Sequence, residues 1–207
     1  AALRAGADRI TITSFNEWQE GTQIEPASSA AARGLYGYGS YDGAWGMRGF
    51  VKAFDAADGS LLWTFHTIAD KGHEGVWAES DATGRNLRRD IAAEKRMLAE
   101  KGGEFHQSLG GGMATTPAID RKTRTVFLVV GSPAPAFHGA IRPGDALYTN
   151  SIVAIRPKTG EIVCHYQYTP NDVYDVDATD EHVLADIPID GRTRKVMIQA
   201  NKSGFLY

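Results

Sequence analysis

Two carboxylate arrangements in this 207-residue chain have the residue types and spacing for acid–base chemistry. The first is Asp145, which closes Arg142-Pro143-Gly144-Asp145. Proline presets φ and glycine accepts φ > 0, so Pro143-Gly144 reads as a tight turn with a carboxylate at its mouth. Upstream, the apolar run that ends in Val129-Val130 gives way to Gly131-Ser132-Pro133-Ala134-Pro135. Glycine and proline cannot continue a regular strand, so the chain must leave the sheet there. A carboxylate held by stiff loops at a strand end is where a general base is placed. The plainer alternative is that Asp145 completes a turn. The second arrangement is Glu17 and Glu20, three residues apart beside Trp18 and just after the β-branched run Ile10-Thr11-Ile12-Thr13. Two carboxylates at the C-terminal end of a strand suit acid–base work in a barrel enzyme.

Other candidates are weaker. His66, His73, His106 and His165 are scattered without the spacing of a zinc site and read as surface or strand residues. Asp172, Asp175, Asp177, Asp180 and Glu181 form an acidic cluster, but it lacks the central Gly and terminal Glu of a calcium loop. It reads as a solvated or strand-capping loop. Cys164 stands alone in the apolar run Ile162-Val163-Cys164 and reads as a buried, inert thiol. Gly43 to Gly49 is a glycine-rich loop that fits neither a Walker nor a Rossmann phosphate cradle. A net charge of −3, with no basic patch alternating with aromatics, argues against a nucleic-acid partner. The apolar runs are too short to span a bilayer.

The elements that must position these residues read as mostly β. Twenty-three glycines, eight tyrosines and four tryptophans point to many tight turns and strands. Ala53 to Trp63 reads as strand, Asp/Gly turn and strand, and Ala154 to Cys164 repeats that frame with Arg for the Asp and Cys for the Trp. Asp120-Arg121-Lys122-Thr123-Arg124 and Asp190-Gly191-Arg192-Thr193-Arg194 share an Asp-x-x-Thr-Arg turn, and strands are expected at 126–130 and 196–200. Hairpins recurring every few tens of residues predict a propeller or solenoid. Leu87 to Gly103 is rich in helix formers and predicts an exposed, charge-laced helical insertion. Residues 28–34 are small and polar and read as a linker between a segment 1–27 and a domain 35–207.

Taken together, residues 35–207 resemble the pyrroloquinoline-quinone (PQQ) dependent alcohol dehydrogenases. The resemblance is carried by five motifs in order: Gly110-Gly111-Gly112, Gly131 to Pro135, Arg142 to Asp145, Tyr166 to Val173, and Ala200 to Phe205, beside the docking frame that ends in Trp63. It implies an all-β fold, a partial β-propeller of about half of eight blades, with the helical insertion near 87–103. It implies a small alcohol as substrate, oxidised by hydride transfer to PQQ. Asp145 falls at the general base and Lys202 at the family's Lys/Arg position beside the quinone. Gly43 and Ala44 fall in a cofactor loop, with Ala44 where the family has a metal-binding Glu, and Thr115 falls where the quinone is stacked. Asp145 and Ser132 fall at ligand positions for calcium or a lanthanide, Ser132 replacing an Asn. A periplasmic location and a cytochrome c or other electron acceptor go with that family. The departures at Ala44 and Ser132 leave a non-catalytic propeller as an alternative. Residues 1–27 resemble the C-terminal motif of family 99 glycoside hydrolases, the endo-α-mannosidases, in which Glu17 and Glu20 match the base and acid. The expectation is a fragment of a quinoprotein, inactive by itself, in which Asp145 and Lys202 converge on a shared central hollow.

Overall fold

The computed structural model describes residues 9–13, 48–55, 57–71, 73–101, 110–113, 115–178 and 180–207. Three antiparallel sheets form in chain order. The first holds β1 (Arg9–Thr13), β2 (Phe50–Asp55) and β3 (Leu61–His66). The second is a four-stranded meander of β4 (Ala118–Asp120), β5 (Thr125–Val130), β6 (Ser151–Ile155) and β7 (Ile162–Gln167). The third pairs β8 (Val183–Ile189) with β9 (Arg192–Ile198). Helix α1 (Ile91–Lys101) lies inside the predicted insertion. Strand β1 comes from the glycosidase-like segment and pairs with β2, Arg9 opposite Asp55. Glu17, Glu20, Gly43, Ala44 and His106 lie outside the described residues.

The central sheet is covered on both faces, which explains the unbroken apolar reading of β5. Leu128, Val130, Val153 and Ile155 pack with Val51 and Phe65 of the first sheet, and with Met113. Val129 and Ile152 turn the other way, onto Tyr168 and Ala178, with Met197 of the third sheet and Tyr207 against them. Trimming one methylene from this second cluster, by Ile152→Val, is expected to cost about 1 kcal/mol. Chemical denaturation of the intact protein measures that loss.

His182 closes the same region. It is buried, and its Nε2 meets the Tyr168 hydroxyl at 2.8 Å. Burial pushes its pKa down to about 4 from 6.5, so the native state holds it neutral. Between those values the unfolded chain binds the extra proton, and stability rises with pH. The contribution is complete above pH 6.5 and is lost as pH falls toward 4. Stability curves of wild type against His182→Gln are expected to differ over that window by on the order of 2 kcal/mol.

The turns follow the sequence rules. Asp120 accepts the Lys122 N–H at 3.0 Å and the Thr123 hydroxyl at 2.8 Å. Gly59 and Gly160 take φ of 76° and 74°, the left-handed position each hairpin needs. The β8–β9 hairpin differs from expectation. Asp190 and Gly191 both have positive φ, 50° and 72°, and make a two-residue turn. Pairing therefore begins at Ile189–Arg192, and β9 starts four residues before the expected 196–200 and ends two residues before it does. Trp63 donates its indole N–H to Pro157 O at 3.0 Å and lays its ring over Gly160, tying the first sheet to the second. Cys164 corrects the sequence reading: it is exposed. It sits on β7, the outer strand of its sheet, where Ile162, Val163 and Tyr166 are exposed as well.

Candidate active site

Asp145 is placed by the predicted turn, with Gly144 at φ 88°. It is 1% exposed. Its Oδ2 accepts the Trp77 N–H at 2.8 Å. Its Oδ1 accepts the Ala78 N–H at 3.0 Å and Arg89 Nη1 at 2.6 Å. Both oxygens are thus committed to the segment that leads into α1. The carboxylate is buried and ion-paired, with an anchor's environment rather than that of a group reaching for a substrate proton.

Lys202 is about half exposed and donates Nζ to Asp177 Oδ2 at 3.0 Å. The other oxygen of Asp177 accepts the Ser132 N–H at 2.8 Å, and the Ser132 hydroxyl accepts the Asp177 N–H at 3.1 Å. The structure therefore brings Lys202 and Ser132 together across one aspartate. Asp145 hydrogen-bonds through its carboxylate to Trp77, Ala78 and Arg89, none of which partners Lys202. Burial lowers the Lys202 pKa, but its hydrogen bond to Asp177 and the charges of Asp177, Asp175 and Asp172 outweigh that and raise it.

The sequence reading set Asp175 aside with the acidic cluster as part of a solvated or strand-capping loop. Asp175 is half-buried in the loop between β7 and β8. Burial and the neighbouring Asp177 hold its carboxyl above the usual carboxylate range, against the pull of Lys202 and Ser132. Asn171, Asp175 and Asp177 all adopt left-handed backbone, with φ of 47°, 56° and 45°. Asn and Asp tolerate that region better than other non-glycine residues, and such positions cluster at functional sites. The acidic loop is not solvated as expected. Asp172 is 1% exposed and accepts from Asn150 Nδ2, from the Ser132 hydroxyl and from the N–H groups of Tyr174 and Val176. The composition of the loop marked it, but nothing in the spacing separates the buried Asp172 from the half-buried Asp175.

Two observations test whether the residues fit a quinone cofactor and its metal. Thr115, an expected cofactor contact, has a buried hydroxyl without a hydrogen-bond partner. That orphan, together with a cation flanked by polar groups at Lys202, fits a carbonyl-rich, anionic group. The metal fits less well. Among the described residues no group of three or more His, Cys, Asp or Glu side chains is placed to hold an ion. The Ser132 hydroxyl is already spent on Asp172 and Asp177, and both Asp145 oxygens are engaged.

Residues 39–207 match the family described as glucose/ethanol/alcohol dehydrogenase, beta-propeller domain, with PQQ. The chain is 38% identical over 172 residues to the quinohemoprotein alcohol dehydrogenase ADH IIB of Pseudomonas putida, covering 79% of the chain and 22% of that protein. Over 78 residues it is 50% identical to the 1-butanol dehydrogenase (cytochrome c) of Thauera butanivorans, covering 37% of the chain and 11% of that protein. The crystal structure of the quinohemoprotein alcohol dehydrogenase from Comamonas testosteroni superposes with a TM-score of 0.60 at 30% identity, over 80% of this chain and 23% of that one. The chain thus spans under a quarter of the length of these relatives. The glycoside hydrolase resemblance of residues 1–27 finds no support in these comparisons, and strand β1 of that segment joins the first propeller sheet. No helix among the described residues is long and apolar enough to cross a membrane.

Proposed function

The chain belongs to the PQQ-dependent glucose/ethanol/alcohol dehydrogenase β-propeller family, and on that premise we propose that it forms part of a periplasmic quinoprotein that oxidises a small alcohol. The reading is carried by one observation: Ser132 and Lys202 are joined through Asp177, and the half-buried Asp175 stands two residues before Asp177 in the same loop between β7 and β8. Bound PQQ would supply the hydride acceptor there, with Thr115 and Lys202 among the residues holding it. Asp175 takes the hydroxyl proton as hydride leaves the alcohol carbon, so the substrate loses two electrons and two protons, one of them carried in the hydride, and becomes a carbonyl compound. A carboxyl whose pKa is raised toward working pH is a better proton acceptor than one at the ordinary value. Lys202, steadied by Asp177, supplies the cation that offsets negative charge developing on the acceptor oxygen. Asp145, which the turn motif pointed to as base, serves in this reading as a structural anchor. Electrons would pass on to a cytochrome c or similar acceptor, a reading supported by the name of the Thauera relative.

The test is reconstitution of the full-length protein with PQQ and calcium or a lanthanide, followed by dye-linked alcohol oxidation. Alcohol-dependent dye reduction supports the assignment. A protein that binds the quinone and turns over no alcohol defeats it. The sparse ligand set favours a second reading, a propeller that binds without catalysis. That reading predicts no quinone affinity in an absorbance titration.

A further inference from the structure

The sequence reading left the insertion at 87–103 without a role, and the proposed site uses neither Arg89 nor Glu94. Their side chains are 6% and 8% exposed. Arg89 donates Nε to Glu94 Oε1 at 2.9 Å and Nη2 to Oε2 at 2.6 Å, a two-pronged pair. Its Nη1 reaches Asp145 Oδ1 at 2.6 Å and Ala78 O at 2.8 Å. Glu94 Oε2 also accepts the Gly144 N–H at 2.9 Å. Taking such ions out of water costs several kcal/mol each, more than fastening a surface helix requires.

The bonds run on from there to the candidate base. Asp145 O accepts the Asn171 N–H at 2.9 Å. Arg142, buried in the same turn, donates to Asn171 Oδ1 at 2.9 Å and to Asp172 O at 2.6 Å. The Asp172 carboxylate then accepts the N–H groups of Tyr174 at 2.9 Å and Val176 at 2.6 Å, the amides on either side of Asp175. We infer that Arg89 and Glu94 are positioning residues, through which the helical insertion sets the placement of the Asp175 loop. The effect on turnover rests on the assignment of Asp175 above; the ordering of the loop rests on the hydrogen bonds alone. A displacement of about 1 Å is enough to cost a reaction up to 10²-fold.

The experiment uses the full-length protein with two readouts. In the quinone-free protein, Arg89→Met is expected to speed amide hydrogen exchange across 172–177 about tenfold, with the β5 and β6 amides unchanged. In the PQQ-loaded protein, the same variant is expected to lower kcat about 30-fold while KM stays within about twofold, and Arg89→Lys to restore part of the rate. Glu94→Gln is read out in the same way and decides the matter if Arg89→Met does not fold. Unchanged exchange across 172–177 overturns the inference whatever the activity. Faster exchange with unchanged kcat upholds the ordering of the loop and tells against Asp175 as the base.

Discussion

Replacing Asp175 with Asn is expected to lower kcat of the intact, PQQ-loaded protein about 10³-fold, roughly 4 kcal/mol in the barrier. The amide keeps the size of the carboxyl but cannot take a proton. The side chain is half-buried, and its neighbours Asp177 and Lys202 are held by other bonds, so quinone affinity and melting temperature should change little. Asp145→Asn is the control. It removes the charge that pairs with Arg89 and sets an amide NH2 against a backbone N–H of Trp77 or Ala78, so it should show first as lost stability. Steady-state rates with quinone occupancy measured in parallel separate the two. A variant at Asp175 with the wild-type rate, beside one at Asp145 that binds quinone and is dead, would return the base to the Pro143-Gly144 turn.

The largest stability effect is expected at Arg142. This guanidinium is 1% exposed, and burial pushes its pKa down to about 10, partly countered by Asp172 and Glu94. It remains charged at neutral pH. Arg142→Met keeps much of the volume but leaves Asn171 Oδ1 and Asp172 O without their donor and takes a cation away from beside Asp172 and Glu94. Removing one member of such a buried set costs about 4 kcal/mol. Urea midpoints of the intact protein check this, and a loss under about 1 kcal/mol would mean that water takes over those bonds.

The fold was legible where the signal is local. The Asp120 turn, the Asp/Gly turns at 59 and 160, and the apolar strand that is β5 each need only a few neighbouring residues to be recognised. Trp63 was legible because its docking frame repeats, and its bond to Pro157 spans 94 residues as that frame implies. Cys164 was misread because an apolar run looks the same in an outer strand as in a central one. The site was only half legible. The motifs gave Ser132 and Lys202, which are joined through Asp177, while the carboxylate after the Pro143-Gly144 turn faces the insertion, a contact that local sequence does not display. Arg89 and Glu94 stand five apart among many charges, and no periodicity marks two of them for burial. Asp175 was hidden because three left-handed residues fold the acidic loop back on itself, and single aspartates do not announce positive φ.

The indole of Trp63 plugs the Gly160 hairpin, whereas nothing stands within 4 Å of where a side chain would begin at Gly191. In the second copy of the frame, the place of that indole is taken by Cys164, which reaches solvent instead. The two seams of this array are therefore unlike: one is latched by a ring and an N–H, the other is held by apolar packing, the Asp120–Lys195 ion pair and the Tyr168–His182 hydrogen bond. Under heat or load the third sheet, which no indole plugs, should peel away before the first, so damage in this protein would begin beside Lys202 and reach the proposed cofactor site while most of the architecture still stood.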